Sequence, residues 1–153
     1  MRVSELMSSP AVTAAPATSL REVARLMDAH GVGAVVVTES GFPSGIVTDR
    51  DLALRVLARG LDPESPVSGA MSSPVITVDV NDGAQEAYRI FRRCGVRRLP
   101  VLDERRVIGV LTVDDMLMDV FRRMADLLGG PIAWSVLEEP PGPPGQEAGP
   151  GIP

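Results

Sequence analysis

The chain reads as an α/β protein built from one unit written twice, and three observations carry that reading. The stretches "GIVTDRD" at residues 45–51 and "GVLTVDD" at 109–115 both follow the pattern Gly-x-x-Thr-x-x-Asp. Sliding the sequence over itself by 64 positions brings "VSELMSSPAVT" from residue 3 onto "VSGAMSSPVIT" from residue 67, and "HGVGAVVV" onto "CGVRRLPV", without an insertion. Within each copy, short β-branched runs alternate with a stretch of helical periodicity. The repeat is longer than those of solenoid arrays and occurs twice only, so two half-domains around a pseudo-two-fold axis are expected.

Each unit opens on a Ser-Ser-Pro turn, after which "VT" (12–13) and "VITV" (75–78) read as short strands. Ser19 is placed to cap a helix whose apolar stripe is Leu20, Val23, Ala24 and Met27. Ala84, Ala87, Tyr88 and Phe91 repeat that stripe in the second unit. Gly31 and Gly95 follow where a left-handed residue ends a helix. His30, just before Gly31, suits the negative helix end as a capping residue. A buried strand comes next ("GAVVV" or "RLPVL"), then a turn and a second strand that leads into Gly-x-x-Thr. A closing helix starts near Asp49 or Val113. The order is strand-helix-strand-strand-helix in each unit. About 60 residues bury too little surface to be robust alone, so the copies are expected to share a core. The expected boundaries are 1–60 for the first repeat, 61–66 for a linker and 67–128 for the second repeat. Residues 129–153, ending in "EEPPGPPGQEAGPGIP", form a Pro/Gly-rich tail of the composition that stays disordered. Trp134 ahead of it is a candidate to dock on the body or on a second subunit.

Composition excludes several functions. Aromatic residues make up 3% of the 153 and the net charge is −5, which argues against a base-stacking or electrostatic nucleic-acid surface and against an anionic membrane. One Cys (Cys94) and one His (His30) allow neither an internal disulfide nor a Cys/His metal site. Cys94 reads as a small buried hydrophobe near a helix end. No apolar run approaches the roughly 20 residues of a membrane span, and "MRVSELMSSP" lacks a secretory core, so a cytoplasmic location is expected. Catalysis needs a nucleophile with a base or an acid–base pair, and neither that nor a phosphate-loop or dinucleotide fingerprint is present. No catalytic residue and no enzyme activity are expected.

The repeated Thr-x-x-Asp has two readings. Locally it is a capping box, with Thr48 accepting a backbone N–H and Asp51 reaching back. Functionally, a helix start offers free N–H groups, a carboxylate one turn in can accept two ribose hydroxyls, and a glycine inside a strand marks the close approach of something else. The two are physically compatible.

Tandem units of this order, each with Gly-hydrophobic-x-Thr-x-x-Asp ahead of the last helix, resemble a cystathionine-β-synthase (CBS) domain pair, or Bateman module, of the stand-alone bacterial type. The likeness covers residues 3 to about 125. It implies an intertwined α/β disc with two clefts for adenosine-containing ligands (AMP, ADP, ATP or S-adenosylmethionine), none of them an obligatory cofactor. By position, Asp51 and Asp115 would hold ribose hydroxyls and Thr48 and Thr112 would lie near ribose and phosphates, with Gly45 and Gly109 in the same motif. "VRRLPV" resembles a basic-Arg-Leu-Pro-Val segment of the nucleotide-sensing subunit of AMP-activated protein kinase. That likeness makes Arg97 and Arg98 phosphate candidates, as opposed to a solvated basic patch. Gly33 and Ala34 stand at the equivalent positions of the first repeat, where Arg50 is the nearest cation, so the two clefts are expected to be unequal. The resemblance implies a regulatory module that senses such a ligand and signals in trans to an unknown partner protein, as a homodimer joined through its helices. The alternative is a structural or interaction module that has lost ligand binding.

Overall fold

The computed structural model describes residues 1–129, in which two three-stranded sheets repeat the same local plan. The elements are α1 (Val3–Leu6), β1 (Thr13–Ala14), α2 (Leu20–His30), β2 (Ala34–Glu39), β3 (Phe42–Thr48) and α3 (Asp49–Leu52), which continues as a π-helical stretch over Ala53–Ala58. After a 3-10 turn at Val67–Gly69 come β4 (Val78–Asp79), α4 (Ala84–Cys94), β5 (Arg98–Asp103), β6 (Arg106–Thr112) and α5 (Val113–Gly129). Gly129, expected to open the tail, is instead the last residue of α5, and the rest of the expected tail, Trp134 included, lies outside the described residues.

In each sheet a short parallel strand joins an antiparallel hairpin, in the orders β1-β2-β3 and β4-β5-β6. The short strands sit one to three residues later than the sequence reading placed them, at 13–14 and 78–79, because only Thr13, Ala14, Val78 and Asp79 reach register with the neighbouring strand. Helix α2 begins as expected: Ser19 accepts a hydrogen bond from the Glu22 N–H at 3.1 Å. Gly31 and Gly95 close α2 and α4 in the left-handed region, at φ 63° and 64°.

Two members of the expected helical stripes face water. Ala24 is exposed, and Tyr88 is exposed at the edge of its stripe, while Leu26 and Ile90 lie against the cores. The longer aliphatic chains reach back over the sheet from the stripe's other edge. Cys94 is exposed and not buried: it is the last residue of α4, and the core contacts on either side of it are made by Phe91 and Val96.

The described residues hold two buried clusters where a single shared core was expected. One gathers Leu20, Val23 and Met27 of α2 with Val35, Val37 and Val47, and the other gathers Ala87, Phe91, Leu99, Val101 and Leu111. Each is completed by the opening segment of the other repeat. Val3 lies in the second cluster, and Val67 and Ala70 lie in the first. The backbone shows the same exchange. Val3 N–H donates to the Asp82 carbonyl at 2.9 Å, and Val67 N–H donates to the Thr18 carbonyl at 2.7 Å. The linear repeat and the packed half are therefore different sets of residues. Strand alternation puts Val36 and Pro100 on the sheet faces away from these clusters, where β3 adjoins β6, and both are fully buried.

The described residues from Leu117 to Gly129 belong to a unit separate from Met1–Met116. Within it α5 carries an ion pair from Arg123 to the buried Asp119 at 3.0 Å. Leu117, Phe121, Met124 and Leu128 recur at helical spacing, each at least half exposed.

Candidate functional site

Thr48 and Thr112 are the last residues of β3 and β6, and each starts the next helix. The backbone is set by the hairpin. Ala34 stands opposite Thr48, and Arg98 stands opposite Thr112. One further bond turns the chain into its helix: the Asp49 N–H donates to the Gly33 carbonyl, and the Val113 N–H donates to the Arg97 carbonyl, both at 3.0 Å.

Both motifs are complete capping boxes. The Thr48 N–H donates to Asp51 Oδ2 at 2.9 Å and the Asp51 N–H donates to Thr48 Oγ1 at 3.2 Å. At the second motif the Thr112 N–H donates to Asp115 Oδ2 at 2.8 Å and the Asp115 N–H donates to Thr112 Oγ1 at 3.1 Å. All four residues are half-buried. Each box uses Oδ2 alone, and Oδ1 of either aspartate has no hydrogen-bond partner among the described residues. The cap and an acceptor site coexist in the same carboxylate.

Gly45 and Gly109 do mark a close approach, and the chain itself makes it. A Cβ on Gly45 would stand 2.6 Å from Met71 Sδ and 2.8 Å from the Ser72 carbonyl oxygen. On Gly109 it would stand 2.7 Å from the Ser8 carbonyl oxygen and 2.9 Å from Met7 Sδ. Ser72 and Ile46 exchange two backbone hydrogen bonds here, as do Ser8 and Val110. Each glycine lies three residues up its strand from the threonine, about 10 Å at the usual rise.

The basic candidates separate. Arg97 and Arg50 are exposed, and Arg98 is half-buried. Arg98 crosses to the first motif: its Nη2 lies 3.1 Å from the point a Cβ on Gly33 would occupy, and Asp49 Oδ2 lies 3.2 Å from that point. The structure therefore brings Arg98 to the same space as Asp49, the residue between Thr48 and Arg50 that sequence reasoning passed over. The signal was present, since Asp49 is matched in the second repeat by Val113 and Gly33 by Arg97. No group of three or more His, Cys, Asp or Glu residues is placed to hold a metal ion among the described residues. The one resolved pKa shift lies elsewhere: Arg21 is raised by its hydrogen bond to Glu64 and by the charges of Glu64 and Asp62, on the exposed surface.

Comparison with known proteins bears on the family and the fold. The family model described as "CBS domain" matches residues 3–58 and again 67–122. The chain belongs to the CBS domain family. This CBS pair is 34% identical over 117 residues to the CBS domain-containing protein YhcV of Bacillus subtilis, covering 76% of this chain and 84% of that one. Other relatives are longer and are spanned only in part, 60% of one and 23% of another. Among solved structures, the CBS domain protein PAE2072 from Pyrobaculum aerophilum, complexed with AMP, superposes with a TM-score of 0.69 at 33% identity, covering 75% of this chain and 89% of that chain. The CBS domain pair of protein MJ0100, in complex with 5′-methylthioadenosine and S-adenosyl-L-methionine, does so with a TM-score of 0.69 at 26% identity, covering 77% and 98%.

Proposed function

We propose that this CBS pair is a regulatory module that binds an adenosine-containing ligand (AMP, ADP, ATP or S-adenosylmethionine) beside its two Thr–Asp motifs. It signals in trans to a partner protein in the cytoplasm, acts as a homodimer joined through its helices, and catalyses no reaction. The observation that carries this reading is the duplicated capping box: it fixes each carboxylate through Oδ2 and leaves Oδ1 to accept ligand hydroxyls. Solved CBS pairs of the same fold are complexed with AMP, or with 5′-methylthioadenosine and S-adenosyl-L-methionine, which supports this ligand class. Asp51 and Asp115 are assigned to the ribose hydroxyls, Thr48 and Thr112 to the ribose edge, and Arg98 to a ligand anion at the first motif. Arg50 and Arg97 supply further positive charge from the exposed rim. Gly45 and Gly109 contribute by letting the 71–72 and 7–8 segments close over the strands.

The test is thermal unfolding of nucleotide-stripped protein with each of AMP, ADP, ATP and S-adenosylmethionine. A ligand present at about 100 times its dissociation constant adds about 2.7 kcal/mol. The shift should vanish in Asp51→Ala or Asp115→Ala, according to the site used. A specific observation favours a second reading, that of an interaction module without ligand. The capping boxes and the packing at Gly45 and Gly109 give every motif residue a structural reason. A folded protein that no adenosine compound shifts would establish that alternative.

A further inference from the structure

Arg98 belongs to the second repeat by sequence and to the first motif by position. Its backbone pairs with Thr112, yet its guanidinium reaches the space above Gly33 that Asp49 also borders. A side chain at residue 33 would have to displace one of them: at 3.1 and 3.2 Å both contacts are already tighter than ordinary packing. The Asp49 carboxylate is oriented by its other oxygen, Oδ1, which accepts the Arg50 N–H at 2.8 Å. Arg98 makes no hydrogen bond and no ion pair within 4.0 Å among the described residues, so its donors remain available. The repeat-related positions break the symmetry. Ala34 replaces Arg98, Arg97 replaces Gly33 and Val113 replaces Asp49. The first motif thus carries Asp49, Arg50 and Asp51 with Arg98 reaching in across the repeats, and the second carries Val113, Asp114 and Asp115 with the exposed Arg97.

We propose that Asp49 and Arg98 together set the ligand charge that the first motif accepts. This deepens the reading of that motif as an adenosine site and rests on it. Arg98 draws one anionic group of the ligand, and its planar fork suits a phosphate. Asp49, held beside it, opposes each further negative charge. The first site therefore takes a nucleoside monophosphate in preference to a triphosphate. The second site, with neither Asp49 nor Arg98, lacks that discrimination.

The experiment is titration calorimetry of the full chain carrying Asp115→Asn, so that the first site is read alone. The ligands are adenosine, AMP and ATP without divalent cations, and the added variants are Asp49→Asn and Arg98→Gln. Asp49→Asn should tighten ATP relative to adenosine by about threefold or more, the scale of a partly exposed charge interaction. Arg98→Gln should weaken AMP relative to adenosine by a similar factor, and Arg98→Lys should recover part of it. Adenosine itself, being uncharged, should bind all of them alike, and the differences should shrink as salt is raised. Unchanged AMP-to-adenosine and ATP-to-adenosine ratios in folded variants would overturn the charge assignment and leave the adenosine site standing. Binding that survives in the wild type and is lost with Asp115→Asn would also overturn it, by placing the ligand at the second motif. A wild-type chain that binds none of the three compounds overturns this proposal, and the adenosine reading falls with it when ADP and S-adenosylmethionine also leave the thermal midpoint unmoved.

Discussion

Replacing Gly45 by Ala adds one methyl group at a point where the chain already closes on itself. The new carbon would meet Met71 Sδ at 2.6 Å and the Ser72 carbonyl oxygen at 2.8 Å, both below any stable contact. The sulfur can swing aside. The carbonyl cannot do so cheaply, because it accepts the Ile46 N–H at 3.1 Å while the Ser72 N–H donates to the Ile46 carbonyl at 2.9 Å. Relief of the clash must stretch that pair or push β3 out of its sheet. Overpacking of this kind costs about 1–3 kcal/mol. The alanine recovers about 0.4–1 kcal/mol by restricting the unfolded chain. The net expectation is a loss of about 1–2 kcal/mol, read as a fall of roughly 2–8 °C in midpoint for a chain of this size. Urea denaturation of the unliganded protein measures it directly. Gly69→Ala is the control, since a Cβ there meets nothing within 4 Å and its φ is not positive. A Gly45→Ala protein as stable as the wild type, or a Gly69→Ala protein that loses as much, would refute the packing argument.

Three further outcomes follow from the same structure. Val3→Ala should destabilise the protein by about 2 kcal/mol in urea unfolding, although Val3 lies two residues from the chain start, because its side chain is fully buried in the second cluster. Ser19→Ala should cost about 1 kcal/mol through loss of the Glu22 cap, while Gly83→Ser at the equivalent start of α4 should gain a few tenths, both by thermal melts. Arg106 lies over the Phe42 ring at 5.3 Å and donates to the Ser40 carbonyl at 3.1 Å. A double-mutant cycle on Phe42→Ala and Arg106→Ala should therefore return a coupling of about 0.5–1 kcal/mol, and additive effects would show that the contact contributes nothing.

What could be read from the residues alone is what short-range physics controls. The helices α2 and α4, their left-handed terminators Gly31 and Gly95, the Ser19 cap and the Thr–Asp boxes all arise from interactions three or four residues apart. Each therefore leaves a local pattern. Duplication made those patterns easier to trust, since each appears twice in register. The helix edges were less legible. Whether Tyr88 or Ile90 is covered depends on what packs alongside and not on the helix itself. Cys94 misled for the same reason.

Sequence by itself therefore determined that this is an α/β chain of two matching units, each with a capped helix start that carries a threonine and an aspartate. Tertiary structure alone decided that the opening segments change places, so that Val3 and Val67 complete each other's cores. It also decided that Gly45 and Gly109 are kept bare for Ser72 and Ser8, and that Arg98 reaches back across the repeats to Gly33 and Asp49. Those contacts join residues tens of positions apart. Their partners are chosen by the packing of whole sheets, which leaves no periodic mark in the neighbouring sequence.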